Sequence, residues 1–217
     1  MQLSAEIRWF WQNSPPSGLE DWFRNPGRGA YPPGGGESEP REDEYLRDKN
    51  QCELGIKVRG RNGHGVEVKG LVAAELGDLS ADPFEGTIEL WCKWMSLPLE
   101  LKPGSTIRIR KWRLLRKFDT RGSAPQEIKL AENERPKDPT APLPGQGCNV
   151  ELTRIHIPAN DQTWWTLGFE SFGSLNTVEK SLQSAAATLT ARQRPELDGG
   201  FRASYPAWLK ARILPTP

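Results

Sequence analysis

The stretch Glu53-Leu54-Gly55-Ile56-Lys57-Val58-Arg59 is followed by Arg61-Asn62-Gly63-His64-Gly65 and then by Val66-Glu67-Val68-Lys69. Side chains alternate across an extended chain, so Leu54, Ile56 and Val58 share one face while Glu53, Lys57 and Arg59 share the other. Asn62-Gly63 supplies the positive φ angles of a tight hairpin, which predicts that the two runs pair antiparallel. The same two-residue period recurs over residues 6–11, 87–94, 106–113, 149–154 and 164–170. In 87–94 it sets Ile88, Leu90, Cys92 and Trp94 against Glu89 and Lys93. In 164–170 it sets Trp165, Leu167 and Phe169 against Glu170. Seven strands, each apolar on one face and charged on the other, predict an antiparallel sheet.

Working outward, Val178, Leu182, Ala185, Ala186 and Leu189 recur at helical spacing and predict a helix over 176–189, with Asn176 as N-cap and Glu179 three residues on. Shorter helices are admitted at 18–24, 71–79 and 206–212. Residues 25–44 and 133–147 are dense in Pro and Gly and read as long irregular loops. The rest reads as one domain spanning 1–217.

The chain carries 29 Lys+Arg against 28 Asp+Glu, a formal net charge of +1. That balance argues against a general nucleic-acid binder held by bulk positive charge. No run approaches the ~18 apolar residues of a membrane span, so no membrane partner is expected. Cys52, Cys92 and Cys148 lack metal-ligand spacing, and His64 and His156 are the only histidines. A Cys/His zinc site is therefore not expected, and the cysteines read as free thiols. With no basic, apolar secretory signal at the start, the expected compartment is the cytoplasm. Gly34-Gly35-Gly36 is followed by Glu37 and is no phosphate loop, and neither His belongs to a recognisable catalytic triad.

The polar faces are nearly all ionic. Lys57 and Arg59, Lys69, and Arg108 and Arg110 lie on middle strands, whereas Glu6, Glu151 and Glu170 lie on the first and last. Such segregation suits an enclosed site where basic residues hold phosphates and carboxylates hold a divalent metal. The competing reading is a solvated sheet face with charges paired across strands.

In the order of these motifs, over most of its length, the chain resembles a CYTH domain, the fold of the triphosphate tunnel metalloenzymes. Where that family's first strand carries Glu-x-Glu-x-Lys, this chain has Glu6-Ile7-Arg8-Trp9-Phe10. Its second and third basic motifs are matched by Lys57-Val58-Arg59 and by Lys69. The following acid is matched by Glu89. The fifth motif is matched by Arg108-Ile109-Arg110 or, in the other register, by Lys111-Trp112-Arg113. The sixth is matched by Glu151, and the final Glu-x-Glu only in its second half by Gly168-Phe169-Glu170. Residues 203–209 resemble the family's C-terminal segment.

The resemblance implies an α+β fold, an antiparallel eight-stranded β-barrel with a charged interior and helices packed outside. The eighth strand is expected to be short, or to arise where the run 106–118 bends into two. It also implies that Arg8, Lys57, Arg59, Lys69, Arg108, Arg110, Lys111 and Arg113 grip phosphates, and that Glu6, Glu89, Glu151 and Glu170 hold Mg²⁺ or Mn²⁺. Two functions follow. One is a metal-dependent triphosphatase acting on a polyphosphate-containing small molecule. The other is a non-catalytic module for an anionic ligand, a protein partner or single-stranded nucleic acid. The altered first motif, with Arg8 and Phe10, favours the second; the first acid of the last motif is also replaced, by Gly168. The run 108–121, with seven basic residues and with Trp112 and Phe118 interleaved, is the feature that would suit nucleic acid.

Overall fold

All seven predicted strands are present in the computed structural model, which describes residues 1–24, 40–48, 52–59, 65–97, 99, 101–102, 104–131, 134–191 and 194–214. The strands are β1 Gln2–Gln12, β2 Arg41–Leu46, β3 Leu54–Arg59, β4 Val66–Ala81, β5 Phe84–Ser96, β6 Thr106–Asp119, β7 Gln126–Ile128, β8 Gly147–Ile157, β9 Gln162–Phe172 and β10 Phe201–Arg202. The helices are α1 Leu19–Arg24, α2 Leu175–Thr190 and α3 Tyr205–Trp208, the last running into a π-helical turn, Leu209–Ile213. Eight strands pair antiparallel in the order β1-β5-β4-β3-β2-β6-β8-β9, and β9 pairs back onto β1. The sheet therefore closes into an eight-stranded barrel, and closure removes the exposed edges of an open sheet. β7 and β10 are short additions on β6 and β1.

Four expectations need correction. The eighth strand is β2, so residues 41–44 are not loop, and β6 runs unbroken from Thr106 to Asp119. Residues 71–79 form no helix but continue β4, with register irregularities between Leu71 and Gly77. α2 is capped at Ser174 rather than Asn176, and that cap makes no side-chain hydrogen bond to the helix backbone. Trp94, on the apolar face of β5, is largely exposed rather than part of the core. The Asn62-Gly63 turn and residues 25–39 of the first loop lie outside the described residues, although β3 and β4 pair antiparallel as expected. Residues 134–146 of the second loop are irregular, with one isolated bridge from Leu130 to Pro136.

The main apolar core lies outside the barrel. Ala5, Ile7, Trp9 and Trp11 of β1, Val150 and Leu152 of β8, and Leu167 and Phe169 of β9 point outward beneath α1 and α2. The α2 stripe Val178, Leu182, Ala185, Ala186 and Leu189 buries against them, as its spacing predicts. A second core fills one end of the barrel. There Phe10, Tyr45, Ile107, Ile109, Ile155, Ile157 and Trp164 meet Trp208, Leu209 and Ile213 of the C-terminal segment. Phe10 stacks on Trp208 with centroids 4.8 Å apart and planes 6° from parallel. No helix among the described residues is long and apolar enough to cross a membrane.

Phe10 is fully buried, so Phe10→Ala is expected to destabilise the protein by about 3–5 kcal/mol. The urea unfolding midpoint is the measurement, and an unchanged midpoint would show that this end is not packed as described.

Candidate functional site

Strand alternation carries the opposite faces inward. Glu6 and Arg8 of β1, Lys57 and Arg59 of β3, Glu67 and Lys69 of β4, Glu89, Trp91 and Lys93 of β5, Lys111 and Arg113 of β6, Glu151 and Thr153 of β8, and Glu170 of β9 line a cavity inside the barrel. Arg41 and Tyr45 of β2 join them, and residues 203–206 form part of the wall. That segment lies close against β3, where a Cβ on Gly55 would come within 3.2 Å of Pro206 Cγ. The space, counted out to its open mouth, measures about 870 Å³.

Eight basic and five acidic side chains line this space. Asp43 of β2, fully buried, is a sixth acid in the same network. It holds three cations. Lys111 Nζ lies 3.1 Å and Lys57 Nζ 3.6 Å from its Oδ2, and Arg41 Nε lies 3.3 Å from its Oδ1. Lys111 also donates to Tyr45 Oη at 2.6 Å and lies over the rings of Tyr45 and Tyr205. Glu67 is shared by Lys57 at 3.0 Å and Arg59 at 2.9 Å. Glu151 is shared by Arg8 at 3.2 Å and Arg113 at 2.6 Å, and Arg113 also reaches Glu134. Six cations thus share Asp43, Glu67 and Glu151, with Glu134 as a fourth acid on Arg113.

The other side of the cavity is nearer balance. Glu6 stands directly across from Glu89 on one neighbouring strand and Glu170 on the other. Like charges in that arrangement repel. Lys69 pairs with Glu6 and Lys93 with Glu170 at 3.2 Å, while Glu89 accepts from Trp91 Nε1 at 2.9 Å.

Burial and charge shift these groups in different directions. Burial pushes the Asp43 carboxyl up, but the charges of Lys111, Lys57 and Arg41 overcome it and hold it far below the usual carboxylate range. Against burial, Arg113 and Arg8 hold Glu151 well down, and Lys69 and Lys93 hold Glu170 at about 2. Glu67 is lowered in the same way by Lys57 and Arg59. Glu89 is raised, chiefly by burial. Lys111 is pushed well below the ordinary lysine value and Lys57 is lowered, both first by burial. Three cations on one carboxylate explain why Asp43 is lowered despite its burial.

The barrel brings together ten of the twelve side chains expected in the site. Arg108 and Arg110 are elsewhere. The inward residues of β6 are Ile107, Ile109, Lys111 and Arg113, so Arg108 and Arg110 face outward and pair with Glu44 and Glu42 of β2. The two alternative registers of that strand are thereby resolved in favour of Lys111 and Arg113. The segregation of acids to the first and last strands does not hold either, because Asp43, Glu67 and Glu89 sit on middle strands. Arg41, Asp43 and Tyr45 escaped the sequence reading because β2 is charged on both faces, with Glu42 and Glu44 outside, so it shows no apolar alternation. Glu67 and Lys93 had a visible signal: they share a face with Lys69 and Glu89.

Glu6, Glu89, Glu151 and Glu170, the carboxylates expected to hold Mg²⁺ or Mn²⁺, all line the cavity. Among the described residues no three His, Cys, Asp or Glu side chains come together so as to hold a metal ion. Glu6, Glu151 and Glu170 instead bind protein cations. The basic run 108–121 does not make one surface. Lys111 and Arg113 face the cavity, Arg116 binds Glu127 through two hydrogen bonds, Phe118 is buried in the outer core, and Trp112 lies under Arg154. No family model matches this chain, and neither does any curated protein.

The lowered carboxylates set the acid stability. Their unfolded values are near 4 and their folded values lie lower, so an unfolded chain gains protons first as pH falls. Stability is complete above about pH 5 and is lost on the way down to pH 2, with Glu89 opposing weakly. The urea midpoint is expected to fall steeply between pH 5 and pH 3, and Glu170→Gln is expected to flatten that slope. An unaltered slope in the variant would remove Glu170 from this account.

Proposed function

We propose that this chain is a CYTH-like tunnel protein that binds a polyphosphate-containing anion inside the barrel. The observation that carries the reading is the convergence of six cations on four carboxylates, Asp43, Glu67, Glu151 and Glu134, around one cavity. Buried charge is costly unless it is neutralised, and a multiply charged anion would offset the surplus through charge-assisted hydrogen bonds. Arg8, Arg41, Lys57, Arg59, Lys111 and Arg113 are the groups that would hold it. Arg41, Arg59 and Arg113 offer planar forks suited to phosphate oxygens. Lys57, Lys69, Lys93 and Lys111 are each paired with a carboxylate, which holds their side chains in place before any ligand arrives and lowers the ordering cost of binding.

Calorimetry with inorganic tripolyphosphate tests this. Binding is expected, and Lys57→Ala or Arg59→Ala should weaken it about 10–100-fold, the loss of one charged hydrogen bond. Arg108→Ala and Arg110→Ala, which change equally basic residues on the outer face, should leave it unchanged. Equal losses from inner and outer variants would mean non-specific attraction and sink the reading.

The lowered lysines add a pH signature. A bound anion favours their charged forms, so binding takes up protons. Affinity should fall as pH rises from 7 to 10, although the ligand gains charge over part of that range. Titrations in buffers of different ionisation enthalpy would measure the uptake. An affinity that rises with pH would exclude Lys57 and Lys111 from the contact.

A further inference from the structure

We propose that the Arg8 guanidinium, seated over Gly168, stands where a metal ion would neutralise the ligand, so that the barrel binds its anion without a divalent cation. The inference rests on the anion-binding reading above. Its geometry comes from one row of residues across three adjacent strands. Arg8 on β1 is in register with Gly168 on β9, and Gly168 is in register with Glu151 on β8. A side chain at position 168 would stand between the outer two. A Cβ there would lie 2.4 Å from Arg8 Cζ and 2.7 Å from each Nη. With glycine, the guanidinium crosses over β9, reaches Glu151 at 3.2 Å and donates to Thr166 Oγ1 at 3.4 Å. Two departures from the CYTH pattern, distant in sequence, are therefore one arrangement in space: β1 adds a cation and β9 removes the side chain that would block it.

The rest of the site agrees with a tethered cation. Arg8 is held charged: burial opposes it, but the fields of Tyr205, Glu151, Glu6 and Glu170 prevail. Among the described residues it uses two hydrogen bonds, on Thr166 and Glu151, from a group with five N–H donors. Thr153, two residues along β8 from Glu151 and also lining the cavity, is buried, and among the described residues its Oγ1 has no hydrogen-bond partner. A buried, unpartnered hydroxyl facing a cationic cavity is what a ligand oxygen would satisfy. Lys69 on Glu6 and Lys93 on Glu170 similarly supply protein cations where a hydrated divalent ion would need several free oxygen ligands.

The experiment is calorimetry with tripolyphosphate in EDTA and in Mg²⁺, on the wild type, Arg8→Ala, Gly168→Ala and the double variant. Wild-type affinity is expected to agree within about two-fold between the buffers. Arg8→Ala should lose about 10–100-fold in EDTA. Gly168→Ala should lose affinity in the same direction, because its methyl displaces the flexible end of Arg8 while leaving that charge in the protein. The double variant should bind no worse than Arg8→Ala alone, since both act through one group. Gly168→Ala keeps the test valid if Arg8→Ala fails to fold. Wild-type binding that requires Mg²⁺ would overturn the inference while leaving the anion-binding reading standing. Additive losses, or no loss from Arg8→Ala, would also overturn it. Absence of wild-type binding in both buffers would instead remove the anion-binding reading, and this inference with it.

Discussion

The buried carboxylate of Asp43 is the interaction on which this barrel depends. It sits fully enclosed between Lys111, Lys57 and Arg41 and lets β2, β3 and β6 turn cationic faces toward one another. Without it, three like charges would converge in a space with little water to screen them. Glu67 and Glu151 repeat the device around the wall, each holding two cations. The interior is thus a network in which carboxylates are fewer than the cations they hold.

Closing a sheet with its ionic face inward leaves its apolar face outside, where it needs cover. α2 and α1 provide it over β1, β8 and β9. The C-terminal segment completes the molecule differently. Trp208 stacks on Phe10 and fills one end, while Tyr205 enters the cavity beneath Lys111 and Arg8. Phe10 therefore belongs to the packing of that end, and Arg8 and Gly168 belong to the site.

Much of this was legible in the chain. Period-two alternation located seven strands, and helical spacing located α2, because both depend on local geometry that repeats every few residues. Glu6, Lys57, Arg59, Lys69, Glu151 and Glu170, which line the cavity, followed from parity along those strands, whereas Arg8, Glu89, Lys111 and Arg113 were singled out only by the resemblance to the CYTH motifs. β2 was not legible because Arg41, Glu42, Asp43, Glu44 and Tyr45 place charge on both faces, and its role emerges only when Asp43 meets Lys111 and Lys57. β6 was legible as a strand but not in its register of function, since Arg108 and Arg110 have the same chemistry as Lys111 and Arg113. The partners Glu42 and Glu44 on β2 mark the outer pair.

The sequence by itself determined which residues share a face, since alternation is a property of the extended backbone and needs no partner. It also determined the charge on each face and the apolar stripe of α2. Only the tertiary structure decided which face is inside. An alternating strand reads the same whether its charges meet solvent or an enclosed cavity, and the choice follows from β9 pairing back onto β1. The same closure brought Arg8, Gly168 and Glu151, remote in the chain, into one row. Whether a glycine is a gap or a site is a matter of what lies beside it, and that is set by strand pairing across the barrel.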